Sequence, residues 1–191
     1  MKTKMEVSYI CNENELMEKV KNGDKRAYEE IVLKYRKNAV GFAYRFVKDS
    51  YLAEDIVQES FASIYIKRSS YKNKDSFKAF LYTVIRNRCI DYLRKAKNMQ
   101  AINLDEMERS FAEVSLDELL VKKDELKCAK RILEGLSYEY RTVFWLYEYE
   151  GFSYKEIAGI MNKSLPQIKI MLYRARNKIQ KYIKEDMQYE K

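Results

Sequence analysis

Apolar residues recur at spacings of three and four along most of this chain, and only five glycines and one proline interrupt its 191 residues. That pattern predicts an all-α protein with no convincing strand. A first helix is expected from about Lys25 to Lys48, with Ala27, Tyr28, Ile31, Val32, Tyr35, Phe42 and Phe46 inward and Asp24 as its N-cap. Asp49 and Ser50 mark a turn, after which a second helix runs to about Ile66. Lys67 to Asp75 is polar and aperiodic, as a loop would be. A third helix begins near Ser76 with Phe77, Phe80, Leu81, Val84, Ile85, Cys89, Tyr92 and Leu93 on one stripe. Lys78, Tyr82, Arg86, Asp91 and Lys95 fall mainly off that stripe.

Three helices sharing one core make a first domain over 24–95, behind an N-terminal extension at 1–23. From Ala96 to Ser115 the periodicity dissolves into polar and acidic residues, which suits a flexible linker better than a loop inside a compact domain. Periodicity resumes over Leu116–Leu133 and Tyr138–Glu150 and again in two short helices. The expectation is therefore two separate helical domains, the second over 116–186 and followed by a tail at 187–191.

Charge is distributed unevenly. Residues 24–97 carry 17 Lys and Arg against 9 Asp and Glu, residues 98–152 carry 7 against 12, and residues 153–191 carry 9 against 4. Two basic lobes flank an acidic middle, and such lobes attract phosphate backbones. Histidine is absent, which removes the commonest general base, the usual nucleophile pairs and most zinc sites. Cys11, Cys89 and Cys128 are widely spaced, so neither a disulfide framework nor a metal knuckle is expected. No apolar run has the length of a membrane span and Met1 to Ser8 has no signal-peptide core. We expect a cytoplasmic protein that is not an enzyme and uses no metal or cofactor.

A helix-turn-helix is legible from Gly151 onward. Ser153 and Glu156 form a capping box, Ala158 is small enough for close helix packing, Asn162 to Ser164 make the turn, and Pro166 fits the first turn of the next helix. The second helix of such a motif enters the major groove. Ile168, Leu172, Ala175 and Ile179 stack inward, which turns Gln167, Ile170, Tyr173, Arg174 and Asn177 outward; Lys169 and Arg176 join Gln167, Ile170, Tyr173 and Arg174 as candidate DNA contacts. Ile170 suits a thymine methyl, Gln167 an adenine, and Arg174 a guanine or phosphate.

A second basic segment mixes cations with aromatics, as the binding of unpaired bases requires. It joins the Lys67–Asp75 loop to Arg86, Arg88, Arg94 and Lys95, with Tyr71, Phe77, Phe80 and Tyr82 among them. Phe77 and Phe80 have core spacing, so Tyr71 with Ser69, Ser70 and Asn73 is the better set for holding an extruded base. Set inside the otherwise basic first lobe, Ala53-Glu54-Asp55-Ile56-Val57-Gln58-Glu59-Ser60-Phe61 is an acidic amphipathic helix. Its inward side is Ile56, Val57, Ser60, Phe61 and Ile64, which leaves Glu54, Asp55, Gln58 and Glu59 outward.

Asp24-x-x-Ala27-Tyr28, Ala53-Glu-Asp-Ile-Val-Gln-Glu, Arg86-Asn87-x-x-x-Asp91-x-x-Arg94 and the helix-turn-helix together resemble the bacterial RNA polymerase sigma factors of the sigma-70 family. The match is to the extracytoplasmic-function (ECF) subgroup, which keeps only regions two and four. The resemblance implies that Asp55, Gln58 and Glu59 dock on core RNA polymerase. It implies that region two captures the minus-10 element through the Lys67–Asp75 loop and Arg86, Asn87, Asp91, Arg94 and Lys95, while region four reads the minus-35 element. It also implies an anti-sigma factor as a further partner. Phe80 stands where the family usually has Trp. Pro166, Gln167, Ile170 and Met171 stand where Gly, Thr, Ser and Arg are common, which implies weaker phosphate anchoring at Met171 and an altered promoter preference. The rival is a self-sufficient helix-turn-helix repressor or activator, but no dimerisation heptad supports it. An enzymatic rival lacks a Gly-Lys-Ser/Thr loop.

Overall fold

The computed structural model describes residues 13–71, 76–100 and 136–189, with 97–100 and 182–189 as backbone only. Over these residues the protein is helical and contains no strand: α1 (Glu13–Lys21), α2 (Lys25–Val47), α3 (Ser50–Ile66), a 3-10 turn (Arg68–Ser70), α4 (Phe77–Gln100), α5 (Tyr138–Glu148), α6 (Tyr154–Met161) and α7 (Leu165–Tyr189). The expected helix over Leu116–Leu133, most of the linker, Asn73, Cys11 and Cys128 lie outside the described residues.

Local chemistry sets these boundaries. The Asp24 side chain accepts from the backbone N–H of Arg26 and Ala27, which caps α2 as expected. Asp49 caps α3 through the Leu52 N–H at 3.0 Å. Lys48 between them adopts the left-handed conformation with φ 56°, so α2 ends and α3 starts within two residues and the pair folds back antiparallel. Asp24→Ala should lower stability by about 1 kcal/mol, read as a lower urea midpoint with an unchanged slope.

Two contacts show that α2 and α3 pair antiparallel. Tyr28 donates its hydroxyl hydrogen bond to the Phe61 carbonyl and packs on Tyr65, with ring centroids 4.8 Å apart. Further along α2, Arg36 lies 3.9 Å from Glu54 near the start of α3. Most of the inward residues are those the spacing selects: Ile31, Phe42, Val57, Phe61 and Ile64 are buried, as are Phe77, Leu81, Ile85 and Cys89 of α4, whereas Tyr92, expected on the same stripe, is exposed. Burial pushes the Cys89 thiol up to about 12, so it is a packing group here and not a reactive one.

Three features depart from the sequence expectation. The N-terminal extension at 1–23 contains α1, which belongs to the first core through the buried Leu16, Met17 and Val20. Burial raises the Glu13 carboxyl, but hydrogen bonds from Tyr35 and Lys34 outweigh it and hold the group below its ordinary value. The region expected as linker from Ala96 is helical through Gln100. Finally, α7 is not short; it runs for 25 residues.

The two helical domains expected from the sequence are both present, and they pack against each other. Trp145 of α5 stacks on Phe42 at 5.9 Å and 11°, with the Arg45 guanidinium 4.3 Å from its ring. Burial lowers the Arg45 pKa to about 10. Tyr82, expected mainly off the packed stripe, is fully buried among Phe42, Trp145 and Phe152. The reason is that α4 is packed on two faces, by α2 and α3 on one and by α6 on another. An ion pair closes the junction. Lys78 Nζ hydrogen-bonds the Glu150 carbonyl oxygen at 2.7 Å and sits 2.7 Å from Oε2, a charge contact with a carboxylate whose side chain is 0 % exposed.

Candidate functional site

The first surface is the outer face of α3. Ile56, Val57, Ser60, Phe61 and Ile64 are buried, and the Ser60 hydroxyl donates back to the Ile56 carbonyl at 2.7 Å, so this polar residue inside the stripe is satisfied by its own helix. That anchoring leaves Glu54, Asp55, Gln58 and Glu59 exposed along one line. The residue sequence reasoning missed is Leu33, 79 % exposed on α2. Arg36 faces Glu54 and Tyr28 faces Phe61, so along α2 Leu33 lies between the two residues that reach α3. Its signal in the sequence was an apolar residue off the Ile31–Tyr35 stripe. An exposed leucine beside carboxylates is the composition of an interface centre with a polar rim.

The second surface is an open groove of about 730 Å³ between α3, the 3-10 turn and α4. Of the residues expected to hold unpaired bases, it brings together Ser70, Tyr71, Asn87 and Asp91. Ser69, Arg94 and Lys95 are exposed but do not line it, and Asn73 lies outside the described residues. Arg86 lines a smaller hollow of about 350 Å³ with Arg94 and Asn162. Burial lowers its pKa, and it sits near Tyr138 and Glu139 of α5. Tyr71 corrects the expectation of an exposed stacking ring. It is 8 % exposed, packed against Phe77 and Phe80, with Lys21 of α1 above its ring. Phe80, expected in the core, is 37 % exposed and lines the groove. The two aromatics exchange places because α1, unrecognised in the sequence, covers Tyr71. Lys67 and Arg88, both within the basic segment singled out in the sequence, line the groove as well.

The third surface is the helix-turn-helix. Ser153 and Glu156 form the expected capping box, and Asn162 ends α6 in the left-handed conformation at φ 52°. A second capping box starts the recognition helix: Ser164 N–H donates to Gln167 Oε1 at 2.8 Å, and the Ser164 hydroxyl accepts from Gln167 N–H at 3.4 Å. The Gln167 carbonyl is therefore engaged in the cap, leaving its amide donors for any partner. Lys169, Ile170 and Tyr173 are exposed, while Ile168, Leu172 and Ala175 are buried. Met171 is buried as well, so it stands at a packing position and not at a phosphate-anchoring one. The two arginines are partly occupied within the domain. Arg176 donates to Glu148 through Nε and a terminal nitrogen, at 3.1 and 2.8 Å, and lies over Tyr147. Arg174 donates to the Tyr140 hydroxyl at 3.2 Å. Lys163, in the turn before the recognition helix, pairs with Glu139 of α5 at 2.8 Å.

A helical bundle with an acidic exposed face and a basic groove, continuous with a helix-turn-helix bundle, defines a DNA-binding regulator built to meet a protein partner as well. Residues 31–99 match the model for Sigma-70 region 2, and residues 126–179 match that for Sigma-70, region 4. The chain belongs to the sigma-70 family of RNA polymerase sigma factors, in its ECF subgroup. It is 30 % identical over 182 residues to the ECF RNA polymerase sigma-E factor of Escherichia coli, covering 88 % of this chain and 95 % of that one. It is 29 % identical over 178 residues to the RNA polymerase sigma-H factor of Pseudomonas aeruginosa, covering 88 % and 92 %. Among solved structures it is similar to the sigma factor RpoE of Bartonella quintana, solved in complex with the anti-sigma factor NepR, with TM-score 0.64, 25 % identity and coverage of 82 % of this chain and 96 % of that one. The fold also matches CnrH, solved with the cytosolic domain of CnrY, at TM-score 0.60 and 20 % identity over 90 % and 96 % of the two chains. Sigma factors are DNA-binding regulators.

Proposed function

We infer that this protein is an alternative sigma factor that binds core RNA polymerase, directs it to promoters by reading minus-35 and minus-10 elements, and assists promoter opening. The observation that carries this reading is the α3–α4 pair, which presents an exposed acidic line on one face and a cation-lined groove beside it. A protein that only coats duplex DNA has no use for the former. Asp55, Gln58 and Glu59 dock on polymerase, with Leu33 as their apolar neighbour. Ser69, Ser70, Asn87, Asp91, Arg94 and Lys95 face the opened minus-10 strand, Phe80 takes the stacking role expected of Tyr71, and Tyr71 supports it from beneath.

Lys169, Ile170 and Tyr173 meet the minus-35 duplex, with Gln167 and Arg174 beside them, while Arg176 holds the helix in place. No bond is made or broken by the protein's own side chains. It acts where polymerase acts, in the cytoplasm, and an anti-sigma factor is a further partner, as in the complex solved for RpoE. Lys169→Ala should weaken duplex binding across all sequences and lower the salt slope of the holoenzyme by about 0.9. Ile170→Ala should instead relax preference at a single base pair.

Titration of fluorescently labelled protein with core polymerase tests the reading. Saturable binding at one protein per polymerase is expected, with tight promoter binding only in the combined complex. Dimeric binding to a palindromic duplex without polymerase would identify a self-sufficient regulator instead.

A further inference from the structure

One side-chain contact joins the two faces that the proposed function uses separately. The Glu59 carboxylate, on the docking line of α3, accepts a hydrogen bond from the Arg88 guanidinium of α4 at 2.8 Å. Arg88 lines the groove together with Lys67, Phe80, Asn87 and Asp91. No described residue of α5 to α7 lines that groove, so it is open to a strand even while the two helical groups are packed together. The Glu59 side chain is 70 % exposed and that of Arg88 33 %. An ion pair this exposed is weak and is readily exchanged for a better-aligned or less hydrated partner. The other carboxylate on the rim, Asp91, is 3.8 Å from Arg94.

We propose that Arg88 is a strand-backbone contact masked by Glu59 in the free protein: when polymerase takes Glu59, the guanidinium turns to a phosphate of the unpaired strand in the groove. Docking and strand capture are thereby coupled through a single exchange of partners. The proposal rests on the docking and groove roles given above. Coupling of this kind is reciprocal, so removing Arg88 must also free Glu59 for polymerase.

The test uses the full chain, alone and bound to core polymerase, with a fluorescein-labelled single-stranded DNA of random sequence as probe. In the free protein Glu59→Gln should raise affinity for the probe about threefold, the scale of an exposed ion pair. The gain should vanish in the Glu59→Gln, Arg88→Gln double variant. In the holoenzyme Arg88→Gln should lower the salt slope for the probe by about 0.7, one single-strand phosphate contact. Without DNA, Arg88→Gln should bind core polymerase more tightly than the parent. The idea is overturned if Glu59→Gln leaves free-protein binding unchanged, if the double variant keeps the gain, or if the holoenzyme slope is unaltered. The unmasking arm needs no polymerase. Failure of the docking reading is seen separately, as unimpaired polymerase binding by Asp55→Arg, and would remove the coupling while leaving the unmasking intact.

Discussion

Asp55→Arg will bind core polymerase roughly a hundredfold more weakly than the parent protein while melting at nearly the same temperature. Asp55 is exposed at the centre of the line formed by Glu54, Gln58 and Glu59. A surface complementary to that line must be basic, and placing like charges face to face in an interface costs several kcal/mol; about 2.7 kcal/mol corresponds to a hundredfold. The side chain holds no ion pair across the α2–α3 packing among the described residues, so its replacement leaves the core untouched. Anisotropy titration and a melting curve on the same preparation check both halves. Equal affinity for polymerase would remove the acidic line from the docking surface.

Lys78→Met will have the largest effect on stability, about 3–5 kcal/mol and a fall in Tm on the order of 10 °C. The substitution keeps the length and packing of the stem but strands the Glu150 carboxylate, which is 0 % exposed and 2.7 Å from Lys78 Nζ. An uncompensated buried charge is the dominant cost when one partner of such a pair is removed. Replacing both partners, as Lys78→Met with Glu150→Leu, should recover most of the loss, because a well-packed apolar pair substitutes for a buried ion pair at little cost. Trp145 is the only tryptophan in the chain and stacks on Phe42 at this junction, so its fluorescence reports the opening directly. A Tm within a few degrees of the parent would mean that the ion pair does not hold the two helical groups together.

The sequence was most readable where one face of a helix decides the outcome. The α3 stripe, the Asp24 cap, the Ser153–Glu156 box and the Ile168–Leu172–Ala175 line follow from spacing and local hydrogen bonding alone, and all are observed. It was less readable where a helix is covered on two faces. Tyr82 reads as off-stripe in a domain of three helices and is buried because α5, α6 and the segment between them supply a second cover. Tyr71 reads as a loop aromatic and is buried because α1, with only Leu16, Met17 and Val20 to mark it, lies against the 3-10 turn. The same limit applies to function: exposure of Asp55 and Ile170 could be read from the helix, whereas the engagement of Arg176 with Glu148 and of Arg88 with Glu59 depends on which helices are neighbours.

The most direct measurement is transcription by core polymerase on fragmented genomic DNA of the source organism, with and without this protein, followed by mapping of transcript 5′ ends. The account predicts a discrete set of new start sites, each preceded by two short sequence blocks at a constant separation, and their loss with Asp55→Arg. Start sites identical to those made by core polymerase alone would contradict it.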